Sequence, residues 1–255
     1  MMKALTRTIT ISLMMALPLG LFAQTAYEIA KAMDEKESPA DMKSKMTMTL
    51  TNKQGKTRES TISSIAADDN RKQIIWFLSP PDDKGVAFLK IEHADKDDEM
   101  RLWLPAFKKV RRISSKKKAD SFMGSDLSYE DMTSRELEEY TYELKGEKIV
   151  DGVDCYILES TPKEGITRTY KRFITYVSKA DMVPILDEAY DMRDKLLKRR
   201  IMKYSKQKGY ELPKEIYVEN VQKEHNTRLV FKDIEVDTGV EEDLFQEKNL
   251  KRLPR

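Results

Sequence analysis

Apolar and polar residues alternate in many short stretches of this chain, and this period of two constrains the fold more than any other feature. The first clear example runs from Met42 to Leu50, where every second residue is apolar except Ser44 and the residues between are lysines and threonines. Successive side chains of a β-strand point to opposite faces of the sheet, so such a segment predicts a strand with one buried face. Similar stretches recur along the chain, and we predict about ten or eleven strands in one antiparallel sheet or barrel.

Helical patterns are rare in comparison. Apolar residues at helical spacing, Ile29, Ala30 and Met33, predict a short N-terminal helix from about Ala26 to Glu35. The stretch 129–140 is the other segment whose composition is compatible with a helix. The sequence therefore predicts a mainly β fold of the α+β class. A twisted sheet of this size tends to curl, and the few helical residues cannot fill its concave side.

The N-terminus has the pattern of an export signal. Lys3 and Arg7 precede an apolar run from Ile9 to Ala23, and small residues surround a plausible cleavage site near Ala23. An uncleaved anchor is the alternative, but a spanning helix needs about 20 apolar residues. We therefore predict a signal peptide over residues 1–23 and export of the chain. The mature part, residues 24–255, is long enough for one large domain or two small ones. Cys155 is the sole cysteine, so no intrachain disulfide can form.

Charge and motif content argue against two classes of function. The 46 basic and 44 acidic residues give a net charge of +2, which is not typical of a nucleic-acid-binding protein. Neither His93 nor His225 has the spacing of a metal ligand, and no nucleophile, nucleotide or zinc-protease motif is present. We predict that the protein is not an enzyme and needs no metal or cofactor.

A methionine-rich apolar surface is the first candidate site. Methionine is flexible and polarizable, which suits a wall that accepts irregular apolar ligands. A plain core with methionines that fill gaps is the alternative, and from the residues alone it is the better account. The residues that would line a lipid cavity are Met46, Met48, Leu50, Trp76, Phe77, Phe88, Leu102 and Leu104.

A strongly basic segment is the second candidate site. Seven of the eleven residues from Lys108 to Lys118 are Lys or Arg, and an acidic run from Asp126 to Glu139 follows. The segment could be a solvated loop offset by that run, a patch that faces anionic lipid, or a docking surface for an acidic partner. Its candidate contact residues are Lys108, Lys109, Arg111, Arg112, Lys116, Lys117 and Lys118. Phe122, Met123 and Gly124 would form the apolar tip of a flexible flap.

Three segments resemble a known family. They are 76–92 (WFLSPPDDKGVAFLKIE), 102–132 (LWLPAFKKVRRISSKKKADSFMGSDLSYEDM) and 227–245 (TRLVFKDIEVDTGVEEDLF). They are similar to the outer-membrane lipoprotein-sorting family of LolA-like periplasmic proteins, in the branch found beside resistance-nodulation-division exporters. The run from Pro105 through Val110-Arg111-Arg112 to Phe122-Met123-Gly124-Ser125-Asp126 and Tyr129-Glu130-Asp131 is the most specific part.

The resemblance implies a single lipid-binding domain over residues 24–255, located in the periplasm. Its expected fold is a half-open, curled antiparallel β-barrel with a helical lid over an apolar cavity. The resemblance also implies a carrier of lipid or lipoprotein acyl chains, with the exporter and a transient membrane surface as partners and no nucleic acid. Phe122, Met123 and Gly124 would then belong to the lid. The family's arginine that holds the lid shut has no clear equivalent among Arg71, Arg101 and Arg172. A protein-binding adaptor or sensor of an export system, with a filled core, is the alternative function.

Overall fold

The computed structural model describes residues 25–254, so the expected signal peptide and its cleavage near Ala23 lie outside the described residues. The described chain is mainly β, with one α-helix, α1 (Ala26–Asp34), and one antiparallel sheet of thirteen strands. The strands are β1 Asp41–Thr51, β2 Thr57–Ala67, β3 Lys72–Ser79, β4 Ala87–Ile91, β5 Glu99–Leu104, β6 Lys109–Arg112, β7 Tyr140–Val150, β8 Val153–Pro162, β9 Arg172–Ser178, β10 Pro184–Tyr190, β11 Leu196–Gln207, β12 Tyr210–Asn220 and β13 His225–Val236.

The strand order places two sequence neighbours at opposite edges of the sheet. The order is β6-β5-β4-β3-β2-β1-β13-β12-β11-β10-β9-β8-β7, so β1 and β13 meet near the middle. The chain between β6 and β7, residues 113–139, must therefore cross from one edge of the curled sheet to the other. We call it the crossover segment. It lies over the concave face, where Phe122, Leu127 and Tyr129 join the core formed by β1 to β5, β12 and β13.

The alternation of the sequence separates two apolar layers. In β1 the side chains of Met46, Met48 and Leu50 are buried on the concave side, and the residues between them are half-buried or exposed. On the convex side a second layer covers β3 to β5 and packs against the C-terminal turns through Phe245 and Leu250. The sequence pattern predicted the one-sided burial of β1, whereas β3 and β4 are buried on both faces.

The N-terminal helix is confirmed and ends one residue before the predicted boundary. Thr25 caps α1 and forms a capping box with Glu28, which satisfies backbone N–H groups at the helix start. Ile29 and Ala30 are buried against Leu158 of β8 and Val177 of β9, so the helix covers the far half of the concave face.

Two predicted features of the fold are wrong. The strand count of ten or eleven is too low, partly because β6 lies within the basic segment, where only Val110 gives an apolar signal. The lid is not a helix, since the crossover segment contains only three short 3-10 turns, Ser115–Lys117, Glu130–Met132 and Leu137–Glu139. A surface α-helix needs apolar residues along one side. The crossover segment lacks this pattern and is held on the sheet by contacts of its polar side chains. Among the described residues no helix is long and apolar enough to cross a membrane.

Candidate functional site: a cavity beneath the crossover segment

The crossover segment roofs a cavity of about 360 Å³ on the concave face of the sheet. This volume lies near the lower end of the range of about 300–1,000 Å³ that is usual for ligand pockets. The apolar side chains of the sheet that line it come from β1, β2, β3, β12 and β13 and are Met42, Met46, Met48, Ile62, Ala66, Ile75, Leu212, Ile216, Leu229 and Phe231. Unbranched methionines make up much of the β1 wall, so its shape can adjust to a ligand.

The roof comes from the crossover segment itself. Phe122, Leu127 and Met132 line the cavity from above. The Phe122 ring is 3 % exposed and packs against the rings of Phe88, Tyr129 and Phe77, with centroid distances of 5.2, 5.9 and 6.1 Å. This aromatic cluster fixes the apolar half of the roof on the sheet.

One end of the cavity opens to solvent. Its rim is formed by Ser38 and Pro39, in the connection between α1 and β1, and by Asp69 and Asn70, in the turn between β2 and β3. Ser38, Asp69 and Asn70 are exposed, so a ligand could enter here without passing the aromatic cluster.

The structure distributes the expected cavity residues over three locations. Met46 and Met48 line the cavity. Leu50, Phe77, Phe88 and Leu102 are buried in the same concave core but do not line the cavity, and Phe77 and Phe88 belong to the aromatic cluster. Leu104 is partly buried against that core.

Trp76 lies on the other face of the sheet. It is 2 % exposed, belongs to the convex layer, and its indole N–H donates to the backbone oxygen of Asn249 at 3.4 Å. Trp76 and Phe77 are neighbours in one strand, so period two forbids both from facing one cavity. The grouping of Trp76 with the cavity residues is therefore corrected.

The three expected lid residues have different environments. Phe122 is buried, Met123 is half-buried with a positive φ of 50°, and Gly124 is exposed with a φ of 78°. These two left-handed residues bend the chain just after Phe122. Phe122 is therefore an anchor of the roof and not the tip of a flexible flap.

The basic segment forms one rim of the sheet. Lys109, Arg111 and Arg112 are exposed on the edge strand β6, and Lys108, Lys116 and Lys117 are exposed on either side of it. None of these six side chains makes a salt bridge to any residue within 25–254, whereas Lys118 pairs with Asp98 at 2.8 Å. Phe107, directly before them, is 70 % exposed. A cluster of unpaired cations with an aromatic side chain therefore faces solvent.

Buried polar groups hold the other half of the roof on the floor of the sheet. Asp131 of the crossover segment accepts hydrogen bonds from Lys198 Nζ and Tyr170 Oη, both at 2.8 Å. Burial raises the pKa of Asp131, but the charges of Lys198 and Arg200 outweigh this and hold the pKa below its usual range. The carboxylate is therefore ionised when it binds Lys198.

A second ionic contact lies beside the first. Asp187 of β10 accepts hydrogen bonds from Arg135 of the crossover segment, from Arg200 Nη2 at 2.7 Å and from Thr175 Oγ1 at 2.7 Å. Burial raises the pKa of Asp187, but the guanidinium groups of Arg135 and Arg200 outweigh this and hold the pKa well below its usual range.

Two further pairs anchor the segment near its middle. Lys90 Nζ, fully buried, donates to Glu92 at 2.6 Å and to the backbone oxygen of Met132 at 2.7 Å. Burial lowers the pKa of Lys90, and the contact with Glu92 opposes that shift. Asp126 accepts from Thr227 Oγ1 at 2.7 Å and lies 2.7 Å from His225 Nδ1.

The three arginines considered as lid latches differ in their contacts. Arg71 pairs with Glu136 of the crossover segment at 3.0 Å. Arg101 pairs with Glu99 and Glu247, and Arg172 pairs with Asp194 and Glu159, all outside that segment.

Sequence reasoning missed the polar floor formed by Asp187, Lys198 and Arg200. The signal was present, since Lys198 and Arg200 alternate with buried Met202 on one face of β11. Charged residues at inward positions of an alternating strand indicate buried partners. No cluster of His, Cys, Asp and Glu that could hold a metal ion occurs within residues 25–254.

Comparison with known proteins now defines the class. The chain is similar in fold to the LolA superfamily protein from Nitrosomonas europaea, with a TM-score of 0.70 over 89% of this chain and 99% of that one, at 17% identity. This likeness defines the protein as one with a LolA-like fold.

Relatives of higher identity define the family. A DUF1329 family protein from Desulfovibrio piger is 32% identical, with a TM-score of 0.83 over 88% of this chain and 97% of that one. A candidate outer membrane lipoprotein-sorting protein domain from Vibrio parahaemolyticus is 31% identical, with a TM-score of 0.83 over 89% and 98%.

A protein-family model with the description "Uncharacterized protein" matches residues 69–252. The chain belongs to this DUF1329-type family, whose fold is LolA-like, and the resemblance to lipoprotein-sorting proteins seen in the sequence is confirmed. No curated protein matches the chain significantly.

Proposed function

We propose that the protein is a periplasmic carrier that binds an acyl chain of a lipid or lipoprotein beneath the crossover segment and passes it between membranes or to and from an exporter. The observation that carries this proposal is the cavity of about 360 Å³, which has apolar walls, an aromatic roof and one open end. The name of the Vibrio parahaemolyticus relative, a lipoprotein-sorting domain, supports the same direction.

The energetics of such a carrier follow from the hydrophobic effect. Each CH₂ group of an acyl chain gains about 0.8 kcal/mol when it leaves water, so a 16-carbon chain gains about 13 kcal/mol. A carrier must provide an apolar site that recovers most of this free energy, and it must still release its cargo. Met46 and Met48 provide a wall that can adapt to the chain, and the open end at Pro39 gives a route for entry and exit.

The crossover segment acts as the closing element in this proposal. Phe122 covers the chain from above, and Met123 and Gly124 form the bend that sets its position. The ionic contacts of Asp131 and Arg135 with the sheet floor keep the roof in place while cargo is bound. The work of the protein is then binding and release, and no catalytic step is needed.

The basic rim supplies the contact surface for delivery. The unpaired cations from Lys108 to Lys117 and the exposed ring of Phe107 would contact an anionic membrane surface or an exporter of the resistance-nodulation-division type. A basic side chain near anionic lipid contributes about 1 kcal/mol, so several together give a reversible attachment. Export by the N-terminal signal would place the protein between the two membranes.

A cavity-filling variant tests the proposal. Met46→Trp places a large rigid ring in the cavity, whereas Lys45→Trp places the same ring on the outer face of the same strand. We expect Met46→Trp to lose most uptake of a fluorescent acyl-chain probe and Lys45→Trp to retain it. Equal uptake by both variants would show that the cavity is not the binding site of the acyl chain. Absence of uptake by the unaltered protein would favour the protein-binding adaptor instead.

A further inference from the structure

Arg200 is the only cation among the described residues that line the cavity. It lies on β11, and its side chain is 23 % exposed. The side chain borders the cavity and two smaller clefts beneath the crossover segment. A positive charge in a largely apolar cavity needs an explanation, because a buried charge is costly unless it is paired.

The guanidinium group of Arg200 is incompletely satisfied. Its Nη2 donates to Asp187, but its Nε is buried and has no hydrogen-bond partner among residues 25–254. A buried donor without an acceptor costs about 1–3 kcal/mol. Protein atoms close Nε off from a ligand. The remaining nitrogen, Nη1, also has no hydrogen-bond partner among residues 25–254 and is not closed off, so a ligand acceptor can bind there.

The carboxylates near Arg200 are already shared. Asp187 also accepts from Arg135, and Asp131 accepts from Lys198, so three cations meet two carboxylates. Glu130, the next acid of the crossover segment, accepts hydrogen bonds from the backbone N–H and the hydroxyl of Thr169.

The other acids that line the cavity lie at its open end. Glu211 pairs with Lys206 at 3.0 Å, and Asp69 is exposed in the turn between β2 and β3. The inner end of the cavity therefore offers an incompletely paired guanidinium group beside Asp131, whose carboxylate is already held by Ser128, Tyr170 and Lys198. The other two acids lie at the rim.

We propose that Arg200 binds the anionic head of the ligand and that the cavity prefers a single acyl chain ending in a carboxylate. This inference rests on the carrier function and names its ligand class. The carboxylate accepts a charge-assisted hydrogen bond from Nη1, and such a bond is about twice as strong as a neutral one. The acyl chain lies against Met46, Met48 and Leu229 and points to the open end at Pro39.

Competition between two ligands of equal chain length tests the site. Laurate and dodecanol, which differ only in the head group, are titrated against the neutral dye N-phenyl-1-naphthylamine bound to the protein. A hydrogen bond to a charged group is worth about 1.5–3 kcal/mol, so we expect laurate to bind at least about tenfold more tightly than dodecanol. Equal affinities in the unaltered protein would overturn the proposal without any variant.

Substitutions assign the preference to Arg200. Arg200→Gln should lose the preference for laurate and keep the affinity for dodecanol, which also shows that the cavity remains intact. The control is Arg199→Gln, which changes the neighbouring exposed residue paired with Glu188 and should keep the preference.

A retained preference in Arg200→Gln would overturn the site. If Arg200→Gln does not fold, Arg200→Lys replaces it, since it keeps the charge and lacks the guanidinium. Its preference for laurate should be weakened, and an unchanged preference would overturn the role of the guanidinium group. Failure of the unaltered protein to bind the dye, laurate and dodecanol would instead overturn the carrier function itself.

Discussion

Single residues decide how the roof is held on the sheet, and Phe122 is the clearest case. The sequence placed Phe122, Met123 and Gly124 together as one apolar tip, but their burial differs sharply. Local sequence cannot distinguish an exposed aromatic residue from one that enters a distant core. The difference depends on Phe77 and Phe88, which lie more than thirty residues away in the chain.

Truncation of these residues should therefore have unequal effects. Loss of a fully buried phenylalanine side chain costs about 3–5 kcal/mol, so Phe122→Ala should lower the free energy of unfolding by that amount. Met123→Ala, which removes a half-buried side chain, should cost about 1 kcal/mol. Urea denaturation of both variants measures the difference. Similar losses in the two variants would contradict the anchoring role of Phe122.

Asp187 gives the protein a predictable sensitivity to acid. Its pKa in the folded protein lies below the unfolded value of about 3.9, so the carboxylate stabilises the fold above that pH. This contribution is lost as the pH falls below about 4 toward the folded pKa. The free energy of unfolding should therefore fall with acid.

The variant Asp187→Asn isolates this effect. Removing one partner of a buried ion pair costs about 3–5 kcal/mol, so we expect a loss of this size at pH 7 and a shallower dependence on acid. Asp194→Asn is the control, since Asp194 is exposed and its pairs with Lys171 and Arg172 should contribute much less to stability than the buried Asp187 contacts. Unfolding at a series of pH values checks both variants, and a fully stable Asp187→Asn would refute the ionic anchor.

At the scale of elements, most strands were predictable and the crossover segment was not. The local sequence shows the period of two in β1 and the continuous apolar run of β3, which is buried on both faces. The crossover segment is ordered by contacts with distant strands, among them Lys198 and Asp187, which no local pattern reveals. The polar floor was missed for the same reason.

The edge strand β6 shows a second limit of local reading. Its residues read as a charged loop, yet they pair with β5, and Val110 lies opposite Trp103. Pairing of the backbone does not require apolar side chains, so a basic edge strand gives little signal. The lysines and arginines of such an edge also prevent it from pairing with another chain.

Reversal of charge on this edge should weaken membrane attachment. The triple variant Lys108→Glu, Lys109→Glu and Arg111→Glu should lose most binding to vesicles that contain anionic lipid, because each cation contributes about 1 kcal/mol. Binding of the unaltered protein should also fall with added salt.

A control of equal charge keeps this test specific. Lys195→Glu, Lys214→Glu and Lys223→Glu change three exposed lysines elsewhere on the surface by the same total charge. Co-sedimentation with vesicles should separate the two triple variants. If both lose binding equally, net charge explains the attachment and the basic rim has no special role.

At the scale of the whole molecule, the open sheet explains why a cavity remains. One sheet of thirteen strands curls, but its edges β6 and β7 lie at opposite ends of the strand order. A helix and an irregular crossover segment cover the concave face, and between them they leave an apolar space beneath Phe122 and Met132. The sequence predicted the curled sheet and its partly filled interior; the position of the space depends on long-range packing.

The central claim is that this space holds an acyl chain. Native mass spectrometry of the protein purified from periplasm without detergent, with lipid extraction from the same sample, tests it most directly. We expect an adduct of lipid mass on the folded protein and a matching lipid in the extract. A clean unbound mass, with no lipid taken up after addition of membrane extract, would contradict the account and favour a protein-binding adaptor.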